Sequence, residues 1–228
     1  MRKFILCVIG LALTAPVFAS STTCPTGNFS LYLVANFSCQ TGNLIFSDFT
    51  YDGTGDPTEI IIPADSVNVR PITDTDEEGF QFASGWSVGT LNGMSSFQNS
   101  MITYLVTDAM GIGDLVLGFN GSFSGTGMTS TSETYCLNST TTTDCSEGNT
   151  GALNVTNPPP FFSTVTLVSP VTSVAISENV NVTSGPNGTA AASQMINEFS
   201  GIPEPLTAVL LGTGLIGLGL MRRRMMRR

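Results

Sequence analysis

The sequence predicts an all-β domain, an antiparallel β-sandwich of jelly-roll type. It is flanked by an N-terminal signal helix and a C-terminal transmembrane helix. Three observations lead there. Between residues 20 and 200, apolar side chains recur at every second position in short runs. Gly, Pro, Asn and Asp separate those runs. No stretch of useful length in that region repeats at the helical period. Period-two alternation fits a sheet with one buried face, and many short strands of this kind fill two packed layers.

The chain opens with Arg2 and Lys3, an apolar stretch over 4–13, and then Val17, Phe18 and Ala19. A basic start, a short apolar core and small residues before the cut mark a secretory signal over 1–19. Signal peptidase is therefore expected to cut after Ala19. Cys7 leaves with that segment, and no small-residue lipobox precedes it. The stretch 29–37 suits a helix or a strand, and we read it as a short helix held down by a Cys24–Cys39 disulfide.

Residues 43–51 read as a strand. Leu44 and Phe46 share one parity and Phe49 and Tyr51 the other, which predicts a bulge near Ser47 and Asp48. A Gly- and Asp-rich turn is expected over 52–56. Strands over 59–62 and 66–70 follow, punctuated by Pro63 and Pro71. Residues 74–79 form an acidic loop, and Phe80 and Phe82 begin a strand leading to Trp86 and Val88. A polar loop is expected over 91–100. Ile102, Tyr104 and Val106 alternate beyond it, as do Leu115, Leu117, Phe119 and Phe123, with Gly121 in the gap.

A Thr-rich strand spans 129–136, and a polar loop runs from Cys136 to Cys145. Leu153 and Val155 mark a short strand before three prolines at 158–160. Strands over 161–168 and 171–176 come next. Val180 and Val182 keep the parity of Val174 and Ile176, with Glu178 between them. Residues 190–199 form a last strand or a short helix. Trp86 and the phenylalanines are expected to fill the core, and no fixed repeat period is present.

Charge narrows the choice of partners. The region 20–200 carries a single base, Arg70, while sixteen of the seventeen acidic residues lie within it. Such a surface repels nucleic acid and tolerates cations and neutral sugars. Cys24, Cys39, Cys136 and Cys145 remain after signal cleavage, an even number that suggests disulfides in an exported chain. Three pairings are possible, and the two local ones, Cys24–Cys39 and Cys136–Cys145, close the shortest loops.

Catalytic chemistry is short of reagents. The chain has no histidine, and its one lysine lies in the signal segment. Ser-His-Asp and Cys-His arrangements are therefore excluded. Only a two-carboxylate glycosidase mechanism survives, with pairs such as Asp48 and Glu133 as candidates. We expect no catalytic site. Hard-oxygen loops that could take Ca²⁺ are Asp52 with Asp56 and Asp74 with Asp76, although neither matches an EF-hand. The plainer reading of both is a solvated acidic turn. Asn-x-Ser/Thr sequons stand at Asn28, Asn36, Asn120, Asn138, Asn154, Asn181 and Asn187. They read first as the turn and strand-surface chemistry of an Asn-, Ser- and Thr-rich chain.

The segment 201–228 has three parts. Pro203, Glu204 and Pro205 come first; an uncharged, mostly apolar run over 206–221 follows; and Arg222, Arg223, Arg224, Arg227 and Arg228 close the chain. In lipid such a run can satisfy its backbone only as a helix, and the arginines hold its end on the cytoplasmic side. Sixteen residues, four of them glycine, make a short and weak span for a permanent anchor. This tail resembles the PEP-CTERM sorting signal of Gram-negative bacteria. The resemblance implies recognition by exosortase, a membrane-embedded cysteine protease-transpeptidase, and removal of the tail near the Pro-Glu-Pro motif. It also implies a membrane-anchored precursor released to the cell surface or an extracellular, exopolysaccharide-containing matrix. The expected role there is structural or adhesive, with a carbohydrate-binding module, Ca²⁺-dependent or not, as the alternative.

Overall fold

The computed structural model describes residues 22–57, 59–74, 77–90, 92–142, 149–157 and 159–201. The predicted signal helix with its cleavage site at Ala19 lies outside the described residues. So do the tail from Pro203 to Arg228, Cys145 and Asp76. Among the described residues there is no α-helix, and no helix is long and apolar enough to cross a membrane.

Among the described residues ten strands carry the fold. They are β1 (Gly27–Asn28), β2 (Ser38–Thr41), β3 (Leu44–Gly55), β4 (Asn68–Thr73) and β5 (Glu78–Gly89). The rest are β6 (Phe97–Ser124), β7 (Met128–Leu137), β8 (Thr150–Asn157), β9 (Phe162–Thr183) and β10 (Thr189–Gly201). Every pairing between them is antiparallel, in the order β1-β4-β5-β10-β6-β9-β7-β8 with β2-β3 attached to β6.

Two strands serve twice. The first half of β6 pairs with β3 and with the second half of β9, through Gln98↔Val182 to Thr107↔Ser173. The second half of β6 pairs with β10 and with the first half of β9. Register shifts between Thr107 and Asp114 mark the crossing, where Gly111 has φ 110°. There the continuous sheet turns over and packs against itself, so the fold is a β-sandwich. Rings from the two layers meet in its middle: Phe46 of β3 lies 4.5 Å from Phe80 of β5, and Tyr104 of β6 lies 6.5 Å from Phe199 of β10.

Parity tells the same story. In β6 the buried apolar side chains include Ile102, Tyr104 and Val106 before the crossing and Leu115, Leu117 and Phe119 after it. The change from even to odd positions is what irregular pairing requires if both halves are to keep their apolar faces inward. Alternation alone suggests two strands here, with 97–100 in a loop before them. It likewise suggests a break in β9 after Val168. Both are single strands because each half has neighbours of its own. The last segment, 190–199, is a strand.

Three other expectations are corrected. The segment 29–37 holds one 3-10 turn, Phe29–Leu31, and continues as turns to Asn36, which has φ 59°. Phe29 and Tyr32 stack at 5.9 Å and are buried, so two anchoring rings and a disulfide fix this stretch without a regular helix. The expected turn over 52–56 is strand as far as Gly55, pairing with Met101 to Gln98 of β6. The segment 59–62 is not a strand: Ile60 and Ile61 are exposed, and the backbone lies over β3 instead. A Cβ on Gly53 would stand 2.8 Å from the Ile62 carbonyl oxygen, so glycine there makes room for the covering segment.

The bulge predicted at Ser47 and Asp48 is present, between Ser47↔Leu105 and Thr50↔Thr103. The core is dominated by Trp86, Tyr32, Tyr104, Phe29, Phe46 and Phe80, all fully buried. Phe97, Phe123, Phe161 and Phe162 are exceptions and face outward. Gly121 does fill a gap: a Cβ there would stand 2.6 Å from the Phe119 ring, which lies across it. Cys24 and Cys39 are disulfide-bonded, as the local pairing predicts, and Cys136 is disulfide-bonded as well.

Candidate functional site

Two places gather chemistry, one on the surface and one in the core. The surface site is an open groove of about 380 Å³, where the loop after the 3-10 turn faces the β3 bulge. Val34, Asn36 and Phe37 line one wall, Asp48 and Thr50 the other, and Thr142 an end. The bulge aims Asp48 outward. Its φ of 55°, like the 59° of Asn36, is a left-handed conformation that Asp and Asn tolerate best among residues with a side chain. The Thr50 hydroxyl meets the Thr103 hydroxyl at 2.6 Å on the exposed face. The groove thus offers one carboxylate, one amide, several hydroxyls and the edge of Phe37. That set can exchange hydrogen bonds with a polyol.

Asp48 and Glu133, the pair considered for glycosidase chemistry, are not together. Asp48 is exposed at the groove, whereas Glu133 is fully buried. Glu133 of β7 instead stands directly across from Glu178 of β9. Both face the opposite layer, where Asn197 of β10 bridges them through its amide nitrogen, to Glu133 Oε2 and to Glu178 Oε1. The Tyr104 hydroxyl donates to Glu178 Oε1 at 2.7 Å. All four residues are fully shielded from solvent.

Burial dominates the electrostatics here. It pushes the Glu133 carboxyl well above the usual carboxylate range, and the neighbouring Glu178 charge adds to the rise. Burial also carries Glu178 up to about 7, against the opposing hydrogen bonds from Tyr104 and Asn197. Tyr104 is raised by burial first and by the two glutamates second.

Glu178 and Asn197 are residues that sequence reading missed as a site. A signal existed for each. Glu178 sits in the inward parity of Ile176 and Val180, and Asn197 in that of Met195 and Phe199. A polar residue on a strand's buried face is the informative observation.

The Ca²⁺ loops fare differently. Asp52 is an exposed residue within β3, paired with Met101. Asp56 is spent on structure: its Oδ2 accepts the Phe97 amide at 2.8 Å and its carbonyl accepts the Glu59 amide at 2.9 Å. The structure therefore does not bring Asp52 and Asp56 into a cation loop. Asp74 lies near Glu77 and Glu198, and burial followed by these neighbours carries the Glu198 carboxyl up to about 7. Among the described residues no cluster of three or more His, Cys, Asp or Glu side chains could hold a metal.

No family model matches the chain, and no curated protein matches it significantly. Three solved structures are similar in shape. One is the carbohydrate-binding module TmCBM61 in complex with β-1,4-galactotriose, at 11% identity, covering 64% of this chain and 86% of that one, with a TM-score of 0.31. Another is the enzymatically active domain of tailspike protein 4 of bacteriophage CBA120, at 17% identity, covering 76% of this chain and 21% of that one, with a TM-score of 0.28. The third is a glycosylation-associated protein complex from Streptococcus agalactiae, at 11% identity, covering 66% of this chain and 26% of that one, with a TM-score of 0.25. Likenesses at this level carry nothing about ligand or activity.

Proposed function

We propose that this chain is an exported, non-catalytic protein of structural or adhesive role at the cell surface or in an extracellular matrix. Exosortase sorts it through the tail bearing Pro203, Glu204 and Pro205. The observation that supports this reading best is the Cys24–Cys39 disulfide, which begins five residues beyond the expected cut at Ala19. Disulfides persist in oxidising compartments, so the mature domain is built for the environment its two export signals point to. The strong acidic excess and hydroxyl-rich strands fit a hydrated, polysaccharide-containing layer. Deleting 203–228 tests the sorting step. The truncated chain should accumulate in the periplasm or medium instead of at the surface, while an unchanged location would refute sorting by the tail.

The second reading is a carbohydrate-binding module, and the groove favours it. Asn36, Asp48 and Thr50 offer both donors and acceptors beside the Phe37 ring, as hydroxyl-rich ligands require. A glycan array followed by calorimetry decides this. Binding lost in Asp48→Ala would support it, and a flat array would remove it.

A further inference from the structure

The cluster at the centre of the sandwich is rich in oxygen and poor in donors. Glu133 and Glu178 present four carboxylate oxygens, and Asn197 adds an amide oxygen. Among the described residues the Tyr104 hydroxyl and the Asn197 amide nitrogen are the groups that donate to the carboxylates, and they reach only Glu133 Oε2 and Glu178 Oε1. Glu133 Oε1, Glu178 Oε2 and Asn197 Oδ1 are buried without a partner among the described residues. The Thr131 hydroxyl, two residues before Glu133 on the same face of β7, is likewise buried with no partner among the described residues. Thr131, Glu133, Glu178 and Asn197 are each 0% exposed.

Two carboxylates cannot stay charged in such a place unneutralised. The domain has no histidine or lysine to pair with them, and its one arginine, Arg70, lies on the exposed face of β4. A proton neutralises one carboxylate and satisfies a single oxygen. A divalent cation neutralises both and takes several oxygens at once.

We propose that Glu133, Glu178 and Asn197 hold a Ca²⁺ ion between the two layers, with the Thr131 and Tyr104 hydroxyls completing its oxygen shell. The donor set selects the ion. All candidate ligands are hard oxygens, with no imidazole or thiolate for zinc or copper. Two bidentate carboxylates, an amide oxygen and one or two hydroxyls supply six or seven oxygens, within the six to eight that Ca²⁺ takes. Mg²⁺ keeps several of its waters and would need room for them. A half-turn of the Asn197 amide presents its oxygen instead of its nitrogen to the ion. The ion would join β7 and β9 of one layer to β10 of the other. It would enter as the sandwich closes, after export, because the finished site is sealed. This site is separate from the surface loops of Asp52, Asp56 and Asp74, and it does not depend on the sorting or sugar-binding readings.

The test uses the full chain expressed with its own export signals and purified in CaCl₂. Elemental analysis after gel filtration in metal-free buffer should find one Ca²⁺ per chain. Thermal unfolding should show a higher midpoint in Ca²⁺ than in EDTA. Both the bound ion and this difference should vanish in Glu133→Gln and in Glu178→Gln, which keep the shape and remove one charge each. A folded wild-type chain free of Ca²⁺, with the same midpoint in Ca²⁺ and EDTA, overturns the proposal. So does a Ca²⁺ effect that survives in both variants. Should a variant not fold, terbium in the wild-type chain decides. With terbium present while the chain refolds, Tyr104-sensitised emission that Ca²⁺ in the same refolding buffer suppresses supports the site, and its absence in the refolded chain overturns it.

Discussion

Single residues decide how the core stays satisfied. Ser100 is one of them, fully buried on β6 between two aromatic rings. The Trp86 indole N–H donates to its Oγ at 2.9 Å, and the hydroxyl passes its own proton to Tyr51 Oη at 2.8 Å. Tyr51 then donates to the Ile62 carbonyl at 2.7 Å, pinning the irregular segment 59–62 over β3. Removing the middle member orphans a buried indole N–H. Ser100→Ala should therefore cost about 1–3 kcal/mol in urea unfolding, the penalty for one buried donor left unmade. A loss near zero would show that water replaces the hydroxyl. The sequence made Trp86 and Phe80 legible as core through their shared parity. It gave no sign that Trp86 needs Ser100, because the two meet across the sandwich and not along one strand.

At the scale of elements, short staples replace regular structure at the N-terminal end. The stretch from Cys24 to Cys39 holds only a two-residue strand, a 3-10 turn and the start of β2. It stays in place through the disulfide and through Phe29 and Tyr32, which pack on Phe49, Phe80 and Phe82. A bridge closing a loop of separation 15 removes unfolded-state entropy worth about 3 kcal/mol. Cys39→Ser should lower stability by that order in denaturant titration. It should also expose 24–37 to proteolysis before the strands from β3 onward. Uniform cleavage across the chain would mean that this segment is not a separate unit of stability. The Asp48 bulge shows an element feature that sequence can supply. A change of inward parity inside one apolar run has few explanations besides an extra residue. The same signal was present in β6 and β9, but there Asp, Gly, Ser and Pro at the crossings read as strand ends.

For the molecule as a whole, the governing quantity is the acidic excess of the domain over 20–200, where Arg70 is the single base. Several carboxyls are raised on folding. Burial is the leading cause at Glu78 and Asp108, and at Glu198 burial is joined by Glu77 and Asp74. A carboxyl whose folded value lies above its unfolded value makes the native state bind more protons. Its favourable contribution is complete below the unfolded value and disappears as pH rises through the folded one. For Glu198 that window runs from the ordinary 4.5 to about 7. Thermal midpoints measured with a chelator present should therefore fall between about pH 5 and about pH 8, and the fall should be smaller in Glu198→Gln. A midpoint that rises over this range would contradict the assignment.

The sequence by itself determined what is local. Period-two alternation set the fold class and the inward face of nearly every strand, and cysteine spacing favoured the Cys24–Cys39 disulfide that the structure holds. Those properties depend on neighbours along the chain, so they can be read there. Tertiary structure alone decided which strands span both layers and which polar residues meet. Glu133, Glu178 and Asn197 lie on three strands and come together only when the sheet turns over at Asp108 and Gly111. Nothing in the spacing of these residues encodes that encounter. It arises from pairing between distant strands, whose partners are chosen by how two whole layers close on one core.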